Sequence, residues 1–112
     1  MKLITAVVRP DMLDQVMRAA TAAGARGLTA TEVRGFGQQY GHLAGAAQVA
    51  AGAVVLPKLR VETVVQDEAA GPVTEAIASA VRTGVIGDGK IWVCTVDSAL
   101  RVRTGERDRD AV

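Results

Sequence analysis

The segment Thr83-Gly84-Val85-Ile86-Gly87-Asp88-Gly89-Lys90 sets glycines at 84, 87 and 89 just ahead of a lysine. Glycine lets backbone amides approach an anion closely, and the lysine adds a point charge, so the chemistry suggested is phosphate binding. It is not a P-loop, because that pattern needs Ser or Thr after the lysine and Ile91 stands there. Alone, the segment fits a tight helix-to-strand connection equally well. Arg101 and Arg103 stand at i and i+2. In an extended segment they face one side and can clamp phosphates, or form an ordinary solvated edge. Arg34-Gly35-Phe36-Gly37-Gln38-Gln39-Tyr40-Gly41-His42 carries a Gly-x-Gly at a strand end and two neutral hydrogen-bonding side chains. It suits an ordered ligand or the base of a flexible loop. Lys58 can pair with a carboxylate ligand or with solvent. A single histidine and a single cysteine exclude a multi-His or multi-Cys metal site and a disulfide within the chain. Cys94 reads as an inert core thiol. No Ser/His/Asp or Cys/His arrangement is present, and Glu62, Glu68, Glu75 and Asp88 show no paired spacing. The expectation is a protein that is not an enzyme.

The elements that must position these groups follow from periodicity. Residues 2–8 are apolar on both faces and predict a buried strand, broken by Arg9-Pro10. Asp11 is expected to cap a helix whose stripe is Met12, Leu13, Val16, Met17 and Ala20, ended by Gly24. A second strand is expected at about 27–36. Residues 37–57 hold no Asp, Glu, Lys or Arg, with His42 their one basic side chain, and read as a long loop closed by Pro57. A third strand is expected at about 58–66, with Leu59, Val61, Thr63 and Val65 on one face. A second helix starts near Pro72 at its first position, carries Val73, Ile77, Ala80 and Val81, and ends by Gly84. A glycine-rich turn at 85–90 leads to a strand at 91–96. The tail 104–112 is polar, short of anchors, and expected to be flexible unless a ligand orders it. This order predicts an α+β, ferredoxin-like βαββαβ sandwich: an antiparallel four-stranded sheet with two helices on one face. The other face is apolar enough that other subunits should cover it.

The chain has 112 residues, which predicts one domain over 1–112. With 13 basic and 12 acidic residues the net charge is +1, which gives no electrostatic case for a nucleic-acid partner. Apolar residues make up 49% but aromatics only 3%, so the core is built from small side chains and is expected to be modestly stable alone. No apolar run approaches the roughly 20 residues that cross a bilayer, and the start does not read as a signal peptide. The expectation is a cytoplasmic protein without direct membrane insertion.

Together, Thr31–Gly37 (TEVRGFG), Leu56–Lys58 (LPK), Thr83–Val93 (TGVIGDGKIWV) and Arg101–Glu106 (RVRTGE) resemble the hallmark stretches of the PII signal-transduction family, almost end to end. The resemblance implies a homotrimer that binds adenine nucleotides in inter-subunit clefts and regulates a partner protein through a long T-loop, here about 37–55. It implies ATP, ADP or AMP as ligands, with Mg beside ATP and a role in nitrogen and carbon metabolism. Carried over by position, Gly87, Asp88, Gly89 and Lys90 line the phosphates, and Arg101 and Arg103 reach them from the neighbouring subunit. Gln38 stands beside the terminal phosphate. Thr29, Gly35, Phe36, Gly37, Glu62 and Val64 surround the adenosine. Gln39, with Gly41, holds Mg and 2-oxoglutarate beside ATP, and Lys58 pairs with the 2-oxoglutarate carboxylate. Partner contacts fall on Tyr40, His42, Ala47, Gln48 and Ala51.

The departures lie in the T-loop. Where the family carries a tyrosine-bearing charged stretch, this chain has Ala46-Ala47-Gln48-Val49-Ala50-Ala51. Uridylylation at the loop tip is excluded, and so is serine phosphorylation there. Ala47 replaces the arginine that plugs an ammonium channel, and Gln38 replaces an arginine that reaches the terminal phosphate. Six of the 20 alanines fall within 44–53, so this loop would dock by burial or fold as a helix rather than by charge. The regulated protein, whether transporter, enzyme or regulator, is not named by these residues. The alternative reading is a PII homologue that senses another small carboxylate such as bicarbonate and controls a transporter, without a 2-oxoglutarate response.

Overall fold

The computed structural model describes residues 1–37 and 55–112. Gln38, Gln39, Tyr40, Gly41, His42, Ala47, Gln48 and Ala51 lie outside the described residues. The chain runs β1 (Lys2–Val8), a 3-10 turn (Pro10–Met12), α1 (Leu13–Ala22), β2 (Thr29–Gly35), β3 (Leu56–Val65), α2 (Asp67–Val81) and β4 (Gly89–Thr95). A short 3-10 helix, Asp108–Ala111, closes it. The strands form one sheet in the order β2-β3-β1-β4, and every neighbouring pair is antiparallel. This is the ferredoxin-like βαββαβ sandwich.

Alternation along the strands divides the residues between two faces. Ile4, Ala6 and Val8 of β1 and Leu59, Val61 and Val65 of β3 are buried on one face. They pack against Val16 and Ala20 of α1 and Ala70, Val73, Ile77 and Val81 of α2. The largest fully buried side chains are two isoleucines and several valines, as expected from so few aromatics. Thr63 is the polar member of this face, and its hydroxyl donates to the Gly27 carbonyl at 2.6 Å.

Several boundaries differ from the expectations. Asp11 lies inside the 3-10 turn, and neither that turn nor α1 has a side-chain cap. Met17 is 40% exposed, so the stripe of α1 is narrower than its apolar residues suggest. The end of α1 follows the sequence: Gly24 takes φ +113°. Its N–H donates to Thr21 and that of Ala25 to Ala20, the paired bonds of a Schellman motif. Pro57 does not close the loop but lies within β3 opposite Arg34. The ladder to β1 begins only at Leu59, so Pro57 sits in an overhang with one strand neighbour. Helix α2 starts at Asp67, so Pro72 lies inside it rather than at its first position, and the Glu68 carbonyl loses its donor four residues on.

Beyond β4 the structure departs further. Cys94 is exposed, because the register places it with Trp92 on the face of the sheet that carries no helices. Residues 101–105 form a turn rather than an extended segment, closed by a bridge between Leu100 and Arg107. The tail finds anchors that its composition does not announce. The Arg109 guanidinium pairs with Glu68 at 2.6 Å, and Gln66 donates to the Arg109 carbonyl at 2.7 Å.

Candidate functional site

The face of the sheet without helices carries the candidate site. Register places Thr29 opposite Glu62, Glu62 opposite Thr5, Thr5 opposite Trp92, and Val7 opposite both Arg60 and Lys90. By alternation, Gly35, Lys58 and Val64 share this face. Five of the expected nucleotide contacts, Thr29, Gly35, Glu62, Val64 and Lys90, are therefore on one surface. Thr5 at its centre is buried, and its hydroxyl donates to Glu62 Oε1 at 3.2 Å. Arg60 pairs with the same oxygen at 2.5 Å.

At one end of this face lies an open cleft of about 810 Å³. Gly35, Phe36, Gly37, Lys58 and Gly87–Lys90 line it, together with Val7, Leu56, Val85, Ile86 and Trp92. Of the apolar lining, the sequence assigned a ligand contact to Phe36 but not to Val7, Leu56, Val85, Ile86 or Trp92. Gly89 begins β4 at φ +109°, opposite Val8. A Cβ there would stand 1.9 Å from the Val7 carbonyl oxygen, so only glycine lets the loop enter the sheet at this point. Lys90 follows in the strand, is exposed, and pairs with no carboxylate among the described residues.

The loop ahead of Gly89 is organised by its own carboxylate. Asp88 accepts from the Thr83 hydroxyl, from the Thr83 N–H at 2.8 Å and from the Gly84 N–H at 2.8 Å. Arg9 adds a contact at 3.3 Å. These bonds, the Thr83 hydroxyl foremost, hold the Asp88 carboxyl down to about 2. The Asp88 carboxylate is thus committed to shaping the turn, and the Asp88 N–H is taken by the Val85 carbonyl at 3.3 Å. Arg9 also donates to the Val85 carbonyl at 3.3 Å and the Ile86 carbonyl at 3.1 Å. Lys58 donates to the Gly87 carbonyl at 3.1 Å. Burial lowers the Lys58 ammonium from its ordinary value, and Arg9 pushes the same way, against Asp88.

Arg101 and Arg103 do not line the cleft of this chain. Arg101 pairs with Glu106, which also accepts from the Thr104 hydroxyl at 2.7 Å. Arg103 is exposed on the same turn. Sequence reasoning missed Arg9, read only as a strand breaker, and gave Thr83 no role of its own within the Thr83–Lys90 segment. Arg9 was traceable, because β1 and β4 are antiparallel and its place just past β1 puts it beside the glycine loop. The described residues hold no group of three or more His, Cys, Asp or Glu able to take a metal, and no helix among them is long and apolar enough to cross a membrane.

Comparison with known proteins agrees with this geometry. The family model described as Nitrogen regulatory protein P-II matches residues 1–106. Proteins named Nitrogen regulatory protein P-II are similar to this chain over the full length of both. The protein from Rhizobium etli is 46% identical, that from Cereibacter sphaeroides 49%, and that from Rhizobium meliloti (strain 1021) 47%. With its fold, its glycine loop and its full-length relatives in agreement, the chain belongs to the nitrogen regulatory protein P-II family.

Proposed function

We propose that this protein is a trimeric signal-transduction regulator, not an enzyme, that binds an adenine nucleotide beside the 83–90 loop and acts on a partner protein through residues 37–55. The observation that carries the reading is the convergence of the Gly87–Lys90 backbone, the Lys90 ammonium and Lys58 on one cleft of the helix-free face. Backbone amides and ammonium groups suit a polyphosphate, and the face beyond the cleft offers Val64, Glu62 and Thr29 to a base and ribose. Arg101 and Arg103 complete the site from a neighbouring subunit, so the site is whole only in the trimer. Mg accompanies ATP. A role in nitrogen control fits the names of the relatives, and carbon control and a cytoplasmic place belong to the same reading.

Calorimetric titration with ATP, ADP and AMP tests this reading. Saturable binding of at least one nucleotide is expected, and no binding of any at millimolar concentration contradicts it. A second titration with 2-oxoglutarate, with and without MgATP, separates the inputs. Uptake that depends on MgATP supports 2-oxoglutarate as the ligand of Lys58. Its absence favours another small carboxylate, such as bicarbonate.

A further inference from the structure

Arg9 leaves β1 where the sheet meets the glycine loop, and it does not itself line the cleft. Its Nη2 nevertheless reaches three acceptors of that loop: the carbonyls of Val85 and Ile86 and Oδ1 of Asp88. Lys58 takes the next carbonyl, that of Gly87. Three successive carbonyls are thus held by cations from the ends of neighbouring strands. The described peptide bonds are trans, and in a trans peptide the N–H points opposite to the C=O. With the Val85 and Ile86 carbonyls turned to Arg9, the amides of Ile86 and Gly87 point away from it. Four other loop amides are occupied: Thr83 and Gly84 donate to Asp88, Val85 to the Thr83 hydroxyl, and Asp88 to the Val85 carbonyl. The Ile86 and Gly87 amides have no acceptor among the described residues.

A loop of this length can turn either end of a peptide dipole toward a ligand. Carbonyl oxygens in the cleft would repel an anion, and amides attract it. We infer that Arg9 is a positioning residue for the phosphate loop: it holds the Val85 and Ile86 carbonyls back so that the Ile86 and Gly87 amides stay presented to an anion, and it does not touch that anion. Asp88 fixes the guanidinium in place from the other side. The inference rests on the nucleotide reading above for the identity of the anion, but not for the orientation of the loop.

The test compares wild type, Arg9→Met and Arg9→Lys by ATP calorimetry and by amide proton–nitrogen correlation spectra of the unliganded protein. Arg9→Met is expected to move the Gly84 and Gly87 amide signals and to weaken ATP about tenfold, the low end of what loss of a ligand-orienting group costs. Arg9→Lys, which restores a donor to the carbonyls, is expected to recover part of both. Should Arg9→Met fail to fold, Arg9→Ser, polar but too short to reach the loop carbonyls, is read in the same way. Unchanged ATP affinity overturns the inference. So does weaker binding with the glycine signals unmoved, which would make Arg9 a remote charge only. If the wild type binds no ATP, the nucleotide reading falls, while the glycine signals still decide whether Arg9 sets the loop.

Discussion

At position 89 the space for a side chain is already taken by the Val7 carbonyl, and the φ of +109° is one that only glycine adopts freely. Gly89→Ala must therefore displace the end of β1 or the loop, and is expected to cost about 2 kcal/mol or more in urea unfolding. Stability close to wild type would mean that the loop enters the sheet differently. Asp88 makes a pH-dependent prediction. Its carboxyl is held at about 2, against 3.8 for an ordinary aspartate. A depressed folded-state value favours the ionised form, so its contribution is complete above about pH 4 and is lost as pH falls toward 2. Asp88→Asn is expected to unfold more easily than wild type at neutral pH, and the difference should shrink toward pH 2. An equal difference at both ends would remove Asp88 from the acid response. The residue type at 88 was legible in the sequence as part of an anion loop, but the direction of its carboxylate was not. Thr83 and Gly84 form the acceptor's pocket only once the turn between α2 and β4 has closed.

Among the elements, β3 was the most legible, because its apolar residues alternate and the buried set is the alternating set, whereas β1 was read as apolar on both faces and buries Ile4, Thr5 and Ala6 in succession. The proline positions were less so. Pro57 and Pro72 both sit inside elements, tolerated where a strand lacks a second neighbour and where a helix gives up one bond, and neither condition is visible before the sheet order is known. The tail defeats periodicity for another reason. Its anchors, Arg109 to Glu68 and Gln66 to the Arg109 carbonyl, are polar and join residues far apart in the chain. The paired arginines were read as extended and form a turn, because the bridge between Leu100 and Arg107 folds that stretch back on itself. The core makes the prediction at this scale. Ile77 of α2 is 1% exposed in a core with few large side chains. Ile77→Ala is expected to cost about 2–5 kcal/mol, as cavity formation does in packed interiors, measured by denaturant unfolding. A loss below about 1 kcal/mol would mean that small neighbours collapse into the space.

For the whole molecule, the helix-free face joins fold, assembly and site. It carries Trp92, 42% exposed, and runs toward Phe36, 61% exposed, at the end of β2, two large apolar side chains beside the charged Arg60, Glu62 and Lys90. In the proposed homotrimer this face is covered and the Arg101–Arg103 turn of one subunit is expected to reach the glycine loop of the next, so assembly and nucleotide binding are expected to be linked. The most direct test is the nucleotide affinity of the Lys90→Ala/Arg103→Ala variant against wild type, by calorimetry, with the mass of each sample determined by light scattering. Each charge-assisted phosphate contact contributes about 1.5–3 kcal/mol, so the double variant is expected to bind about 100-fold more weakly or worse. Its mass should remain near three times 11.6 kDa. Unchanged affinity in an intact trimer would place the nucleotide elsewhere and contradict the account.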